Sequence, residues 1–212
     1  MLMNLSDQEQ FEMLKKFWNE YGKFIILAVI VGLGLGYGWR FWQSRQYIHQ
    51  QTASVLYFQW LSHNQISVDK KTATVELDQL QQQYSGSAYA TFASFLVAGH
   101  AAQEGDYTEA ERQLNWVIQH TRTDGFKAIA QIRLARVYAN ESKTEEALAM
   151  LAQVKAHYFE PMAQEVKGDI YHKTNHPTEA KSAYLSAKVG YDQLGLLNNL
   201  LSMKIASGFA SQ

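Results

Sequence analysis

The chain contains no cysteine and only two prolines, Pro161 and Pro177, in 212 residues. Without cysteine there is no disulfide framework, no thiolate chemistry and no cysteine-held zinc. Two prolines are too few for a Pro-rich linker. Charge of either sign is not in excess, since 19 Lys and Arg stand against 20 Asp and Glu, a formal net charge of −1. Such a balance lacks the basic footprint of a nucleic-acid binder. No stretch sustains the period-two alternation of a half-buried strand. What remains is an all-α chain, long enough for a sizeable domain and an appendage.

One segment departs from the average. Phe24 to Trp39 is sixteen residues without a charge, roughly 24 Å of helix at about 1.5 Å per residue, slightly short of a bilayer core. Aromatic residues flank it: Trp18, Tyr21 and Phe24 on one side, Tyr37, Trp39, Phe41 and Trp42 on the other. Such rings favour the membrane interface, and Lys23 and Arg40 can extend outward on their aliphatic stems. The pattern predicts a short segment over 1–21, an uncleaved transmembrane helix over 22–42, and the bulk of the chain, 43–212, beyond it. Lys15, Lys16 and Lys23 precede the run against Arg40 and Arg45 after it, a slight positive-inside bias that points the N-terminus to the cytoplasm. Gly32 with Gly36, and Gly34 with Gly38, form two GxxxG pairs on which another membrane helix could pack closely.

Beyond the run, a continued helix is expected over 43–61, with Tyr47, Val55, Tyr57, Phe58 and Trp60 as its apolar surface. A loop over 62–67 follows, then a helix over 72–84 with Val75, Leu77 and Leu80 inward. From Ala88 the sequence repeats. Three units align on the pairs Glu109-Ala110, Glu146-Ala147 and Glu179-Ala180, whose alanines lie 37 and then 33 residues apart. Twelve residues before each of these alanines stands a small residue, Ala98, Ala135 or Gly168, and nine before it Ala101, Tyr138 or Tyr171. Four after it comes Leu114, Leu151 or Tyr184. Small residues facing each other let two helices approach, and the tyrosine fills the next layer. This is the tetratricopeptide (TPR) pattern of stacked helical hairpins, a TPR-like α-solenoid. A closing helix over 191–206, with Leu194, Leu197, Leu200 and Leu201 as its apolar stripe, would cap the last repeat.

Chemistry is hard to find. His172 and His176 are four apart, but Asn175 and Pro177 place the second in a turn, so no metal is expected. Neither a G-x-S-x-G elbow nor a Walker loop occurs, and no cofactor motif. The chain reads as a non-enzyme. Repeat stacks bind protein segments along their concave side, and the candidates there are Phe92 and Phe95 on the apolar helix 88–103, with Arg133 and Arg136 on helix 126–140. Two arginines three apart suit a carboxylate or a backbone carbonyl of a partner; internal pairing with a glutamate is the default reading of them. A self-associating envelope scaffold built on the same repeats is the rival function.

The span exit GYGWRFWQSRQ, the segments QIRLARVY and KGDIYHKTNHPTEAKSAY, and the closing LSMKI together resemble the YfgM family, ancillary subunits of the bacterial Sec translocon. The likeness runs from about residue 7 to residue 206. It implies a single-pass inner-membrane protein with a cytoplasmic N-terminus and a periplasmic TPR-like domain. It also implies association with SecYEG and with a membrane-anchored periplasmic chaperone such as PpiD, and help in passing newly exported, unfolded clients onward. No catalytic residue is implied.

Overall fold

The structure is a computed structural model that describes residues 7–66 and 70–208. The side chains of Trp42, Arg45 and Tyr47, and the loop residue Ser67, lie outside the described residues. Every regular element among the described residues is helical. The order is α1 (Asp7–Ile66), α2 (Lys70–Gln83), α3 (Ala88–Glu104), α4 (Tyr107–His120), α5 (Asp124–Asn140), α6 (Thr144–Ala152), a 3-10 turn (His157–Phe159), α7 (Glu160–Lys173), α8 (Pro177–Gln193) and α9 (Asn199–Gly208). The chain divides into two compact units, Met1–Gln51 and Thr52–Gln212.

In the first unit, the helix is exposed along nearly its whole described length. No single helix among the described residues is by itself long and apolar enough to cross a membrane. Phe11–Phe24 and Ile26–Phe41 meet that test together, with their axes turned by 42°. A Cβ built at Gly32, Gly34, Gly36 or Gly38 would meet nothing within 4 Å. The four glycines are therefore open to an approaching helix.

The second unit is built from hairpins. Each helix packs on the next in sequence: α3 on α4, α4 on α5, α5 on α6, and α7 on α8 most extensively. The first helices of successive hairpins, α3, α5 and α7, also touch one another. They form the continuous inner layer that lines the concave side of such a stack.

The repeated residues explain why the hairpins close. Ala98, Ala110, Ala135, Ala147, Gly168 and Ala180 are all buried, where a small side chain lets two backbones approach. Opposite them, Leu114 sits in a core with Ala98 and Ala110, and Leu151 in one with Ala135 and Ala147. In the third hairpin the facing residue is the larger Tyr184, and the small residue is glycine. A Cβ on Gly168 would fall 2.5 Å from the Tyr184 ring, so no side chain fits there. Tyr138 and Tyr171 are half-buried at the next layer.

The turns repeat as well. Gly105, Ser142 and Asn175 each stand seven residues after the small residue, and each adopts the left-handed conformation, with φ of 82°, 63° and 61°. The following N–H then reaches back to a carbonyl five residues earlier: Asp106 to Ala101 (2.8 Å), Lys143 to Tyr138 (2.9 Å) and His176 to Tyr171 (2.8 Å). This is a Schellman closure, which satisfies carbonyls at the end of each first helix. Asp106 then accepts the Glu109 N–H at 3.0 Å and starts α4.

Three expectations need correction. The helix expected to end at Leu61 runs on to Ile66, because Trp60 anchors it in a core with Leu77, Leu80, Ala90 and Ala93. Val75 faces solvent rather than that core; the apolar residues that α2 gives to it are Leu77 and Leu80. The closing helix is two pieces: α8 extends to Gln193, Gly195 takes φ 68°, and α9 begins at Asn199. Leu201 is buried and Leu197 and Leu200 are exposed, so the stripe is split.

Between α2, α3 and α4 lies a buried polar chain. Gln81 donates to Ser94 at 2.8 Å and to Gln113 at 2.7 Å, and Gln113 donates to Glu109 at 2.9 Å. Buried polar groups are costly unless paired, and no buried side-chain polar atom among the described residues lacks a partner.

Candidate functional site

Two chemically different clusters stand out in the second unit. The first is formed by α3 and α5. Phe92 and Phe126 meet edge to face, their centroids 5.4 Å apart, and Phe95 approaches Phe126 at 6.4 Å in the same manner. The Arg133 guanidinium lies 4.7 Å from the Phe95 centroid, within the range of a cation–π contact. Burial, and after it the charge of Arg136, pushes the Arg133 guanidinium below its ordinary value. No carboxylate among the described residues pairs with either arginine.

Of the four residues singled out here, the fold brings Phe92, Phe95 and Arg133 to one place, with Arg136 one turn further along α5. Their exposures differ. Phe92 is open to solvent, whereas Phe95 is 9% exposed and serves as the bed under Arg133. Leu96 is exposed one turn beyond Phe92. Phe126, which joins the two phenylalanines, was not among the sequence candidates; nothing in its local context marks it before α3 and α5 are placed side by side.

The second face is formed by α7, α8 and α9. Glu165 is buried, and it accepts from Tyr191 (3.0 Å), Asn198 (3.0 Å) and Lys204 (2.9 Å). Lys204 also donates to both oxygens of Asp169, at 2.7 and 2.9 Å, and Tyr184 donates to the same carboxylate at 2.8 Å. Burial works against the Lys204 charge, but hydrogen bonds to Asp169 and Glu165 outweigh it and raise the ammonium above its usual value. Burial, and then the Glu165 carboxylate, pushes the Tyr191 phenol up to about 12. Burial and the Asp169 hydrogen bond raise Tyr184 as well. Glu165 and Asp169 are four apart on one helix, a spacing that could have flagged them. Lys204 lies 35 residues beyond Asp169, and no sequence pattern links the two.

The histidine pair divides as the turn dictates. His172 ends α7, while His176 precedes α8 and lies 3.1 Å from the Thr174 hydroxyl. No group of three or more potential metal ligands gathers among the described residues.

Comparison with known proteins agrees in one direction. The model of a tetratricopeptide repeat-like domain family matches residues 15–207. A Haemophilus influenzae protein named an ancillary SecYEG translocon subunit is 30% identical, over 92% of this chain and 94% of its own length. A Neisseria gonorrhoeae protein of the same name is 30% identical over 98% of this chain and 99% of its own. One from Escherichia coli is 26% identical over 94% and 95%. No solved structure matches the chain.

Proposed function

The chain belongs to the family of ancillary SecYEG translocon subunits, and from that premise we propose that it is a non-enzymatic docking subunit held at the bacterial inner membrane. In this reading residues 22–42 cross the membrane once, residues 1–21 face the cytoplasm and 43–212 stand in the periplasm. Gly32, Gly34, Gly36 and Gly38 pack against a helix of the translocon or of a partner. The repeat domain then engages a periplasmic chaperone such as PpiD, or a newly exported client, and helps the transfer of exported proteins.

The observation that carries the docking role is the uncompensated face of α3 and α5. Two arginines without acidic partners flank an aromatic shelf of which Phe92 is open. A like-charge pair costs energy unless something neutralises it, and guanidinium forks are suited to carboxylates. The occupant that fits is an extended segment with an Asp or Glu next to an apolar side chain. Aromatic and arginine side chains are also those that most often dominate protein interfaces.

Site-specific photocrosslinking in cells tests the proposal, with the reactive residue at Gly36, at Phe92 and at Arg136 in turn. Gly36 is expected to capture translocon subunits, and the other two a chaperone or exported chains. Crosslinks at all three sites only to a second copy of the chain would overturn it and favour the self-associating scaffold. That rival draws on the exposed Leu197, Leu200 and Met203 at α9, and a concentration-dependent mass of the full chain in detergent would support it.

A further inference from the structure

The N-terminal part of α1 carries a pattern that neither docking nor a plain membrane anchor uses. At about 100° per residue, Phe11, Met13, Phe17, Trp18, Tyr21 and Phe24 fall within an arc of roughly 160°. Glu12, Lys15, Lys16, Asn19, Glu20 and Lys23 fill an arc of roughly 140° on the opposite side. Neither set has a member in the other's arc. All twelve side chains are exposed. Along the apolar side the Phe17 and Tyr21 rings lie 5.1 Å apart, and the Trp18 ring passes 3.3 Å from where a Gly22 Cβ would be. Absence of a side chain at Gly22 lets the indole lie against the helix.

Ile26–Phe41 is different in kind. Only Arg40 is charged there, and apolar residues go all the way round. A helix apolar all round belongs in hydrocarbon, whereas a strongly two-faced one belongs at an interface. The 42° turn between Phe11–Phe24 and Ile26–Phe41 coincides with the change of pattern.

We propose that residues 11–24 form an interfacial helix lying on the lipid surface, immediately before the span. Its aromatic face sinks about 5–10 Å to the headgroup–acyl boundary and its charged face stays in water. This rests on the reading of Ile26–Phe41 as membrane-spanning. Three features select lipid as the occupant. The apolar face is covalently continuous with the span. Trp, Tyr and Phe are residues favoured at that depth. The polar face carries three lysines against two glutamates, a slight positive excess suited to anionic headgroups. Geometry permits it: with a span tilted by roughly 20–40° in the same sense, a 42° turn brings the helix to within roughly 10–30° of the membrane plane. Such an anchor fixes the rotation of the span, and with it the direction in which the two glycine rows face.

The absence of cysteine makes the test direct. Single spin labels are placed at Phe11→Cys, Phe17→Cys, Glu12→Cys, Asn19→Cys and Gly36→Cys in the full chain, reconstituted in vesicles of phosphatidylethanolamine and phosphatidylglycerol. Collision rates are read with oxygen, which concentrates in lipid, and with a water-soluble nickel complex. The expected result is several-fold higher oxygen-to-nickel ratios at positions 11 and 17 than at 12 and 19, with 36 the deepest. Equal ratios at 11, 12, 17 and 19, with 36 still deep, overturn the interfacial helix and leave the span standing. Labels at 11 and 17 shielded from both reagents overturn it in favour of a protein partner on the aromatic face. A label at 36 open to nickel sinks the span reading itself.

Discussion

The α3–α5 face and the α7–α9 cluster belong to the same stack, yet their charges are handled in opposite ways. In the α7–α9 cluster Lys204 bridges Glu165 and Asp169, and tyrosine hydroxyls and Asn198 also donate to these carboxylates. At α3–α5 Arg133 lies over an aromatic ring, and among the described residues no carboxylate is within ion-pair distance of it or of Arg136. A partly buried charge with its partner in place is a structural device. One without a partner in the chain is what the proposed docking role would use. On the proposed reading, the contrast separates the part that holds the stack together from the part that a partner would occupy.

Substitutions can break or sharpen this contrast. The largest stability effect is expected on the compensated side, where Gly168→Val would press a branched side chain into the Tyr184 ring and cost about 3 kcal/mol. Pairing it with Tyr184→Leu should recover part of that loss, and a double-mutant cycle in urea measures the coupling. Equal costs with and without the second change would show that the fit between Gly168 and Tyr184 is not what sets glycine at that place.

Next comes Lys204→Met, which leaves Glu165 and Asp169 facing each other without a cation and should cost about 2 kcal/mol. The same cluster predicts an alkaline dependence. Tyr191 has a folded value near 12 against an ordinary value of 10.0. Being raised in the folded state, it contributes stability that is present below pH 10 and lost as pH rises towards 12. Thermal unfolding followed across that window should show the midpoint falling, and Tyr191→Phe should flatten the fall.

A smaller and opposite effect is expected at Ser142. It occupies the left-handed turn position that Gly105 fills in the preceding hairpin, so Ser142→Gly should stabilise by about 0.5–1 kcal/mol. The smallest stability effect belongs to the open face. Arg133→Gln and Arg136→Gln should each change stability by no more than about 0.5 kcal/mol, while crosslinking from Phe92 to its partner falls several-fold. Should either arginine variant unfold the domain instead, the face would be structural and the contrast would collapse.

Much of the hairpin architecture was legible in advance because it is local. The small residue, the next-layer residue (Ala101, Tyr138 or Tyr171) and the Glu-Ala pair recur at fixed offsets, whereas the left-handed turns became visible only in the structure. Gly168 was visible as a small residue, but that it answers the larger Tyr184 came only with the structure. The helix ends were less legible. Trp60 carries α1 past Ser62 because its core partners, Leu80 and Ala90, come from later helices. The break at Gly195 looked like an ordinary position in an apolar stripe, since Leu194 to Leu201 keeps helical spacing across it. Within the candidate face, Phe92, Arg133 and Arg136 could be named from the sequence, but their relation to one another could not.

By itself, the sequence determined the class of the molecule: helical, free of cysteine, with one apolar run and a repeat that can only be satisfied by stacking. It also set the two-sided pattern over 11–24, because helical periodicity is a property of consecutive residues. Only the tertiary structure decided which charges are neutralised. Lys204 reaches Asp169 across 35 positions of chain, whereas no carboxylate among the described residues comes within ion-pair distance of Arg133 or Arg136. Charge pairing falls off steeply with distance in space and is indifferent to distance along the chain, so it becomes readable only once the helices are stacked.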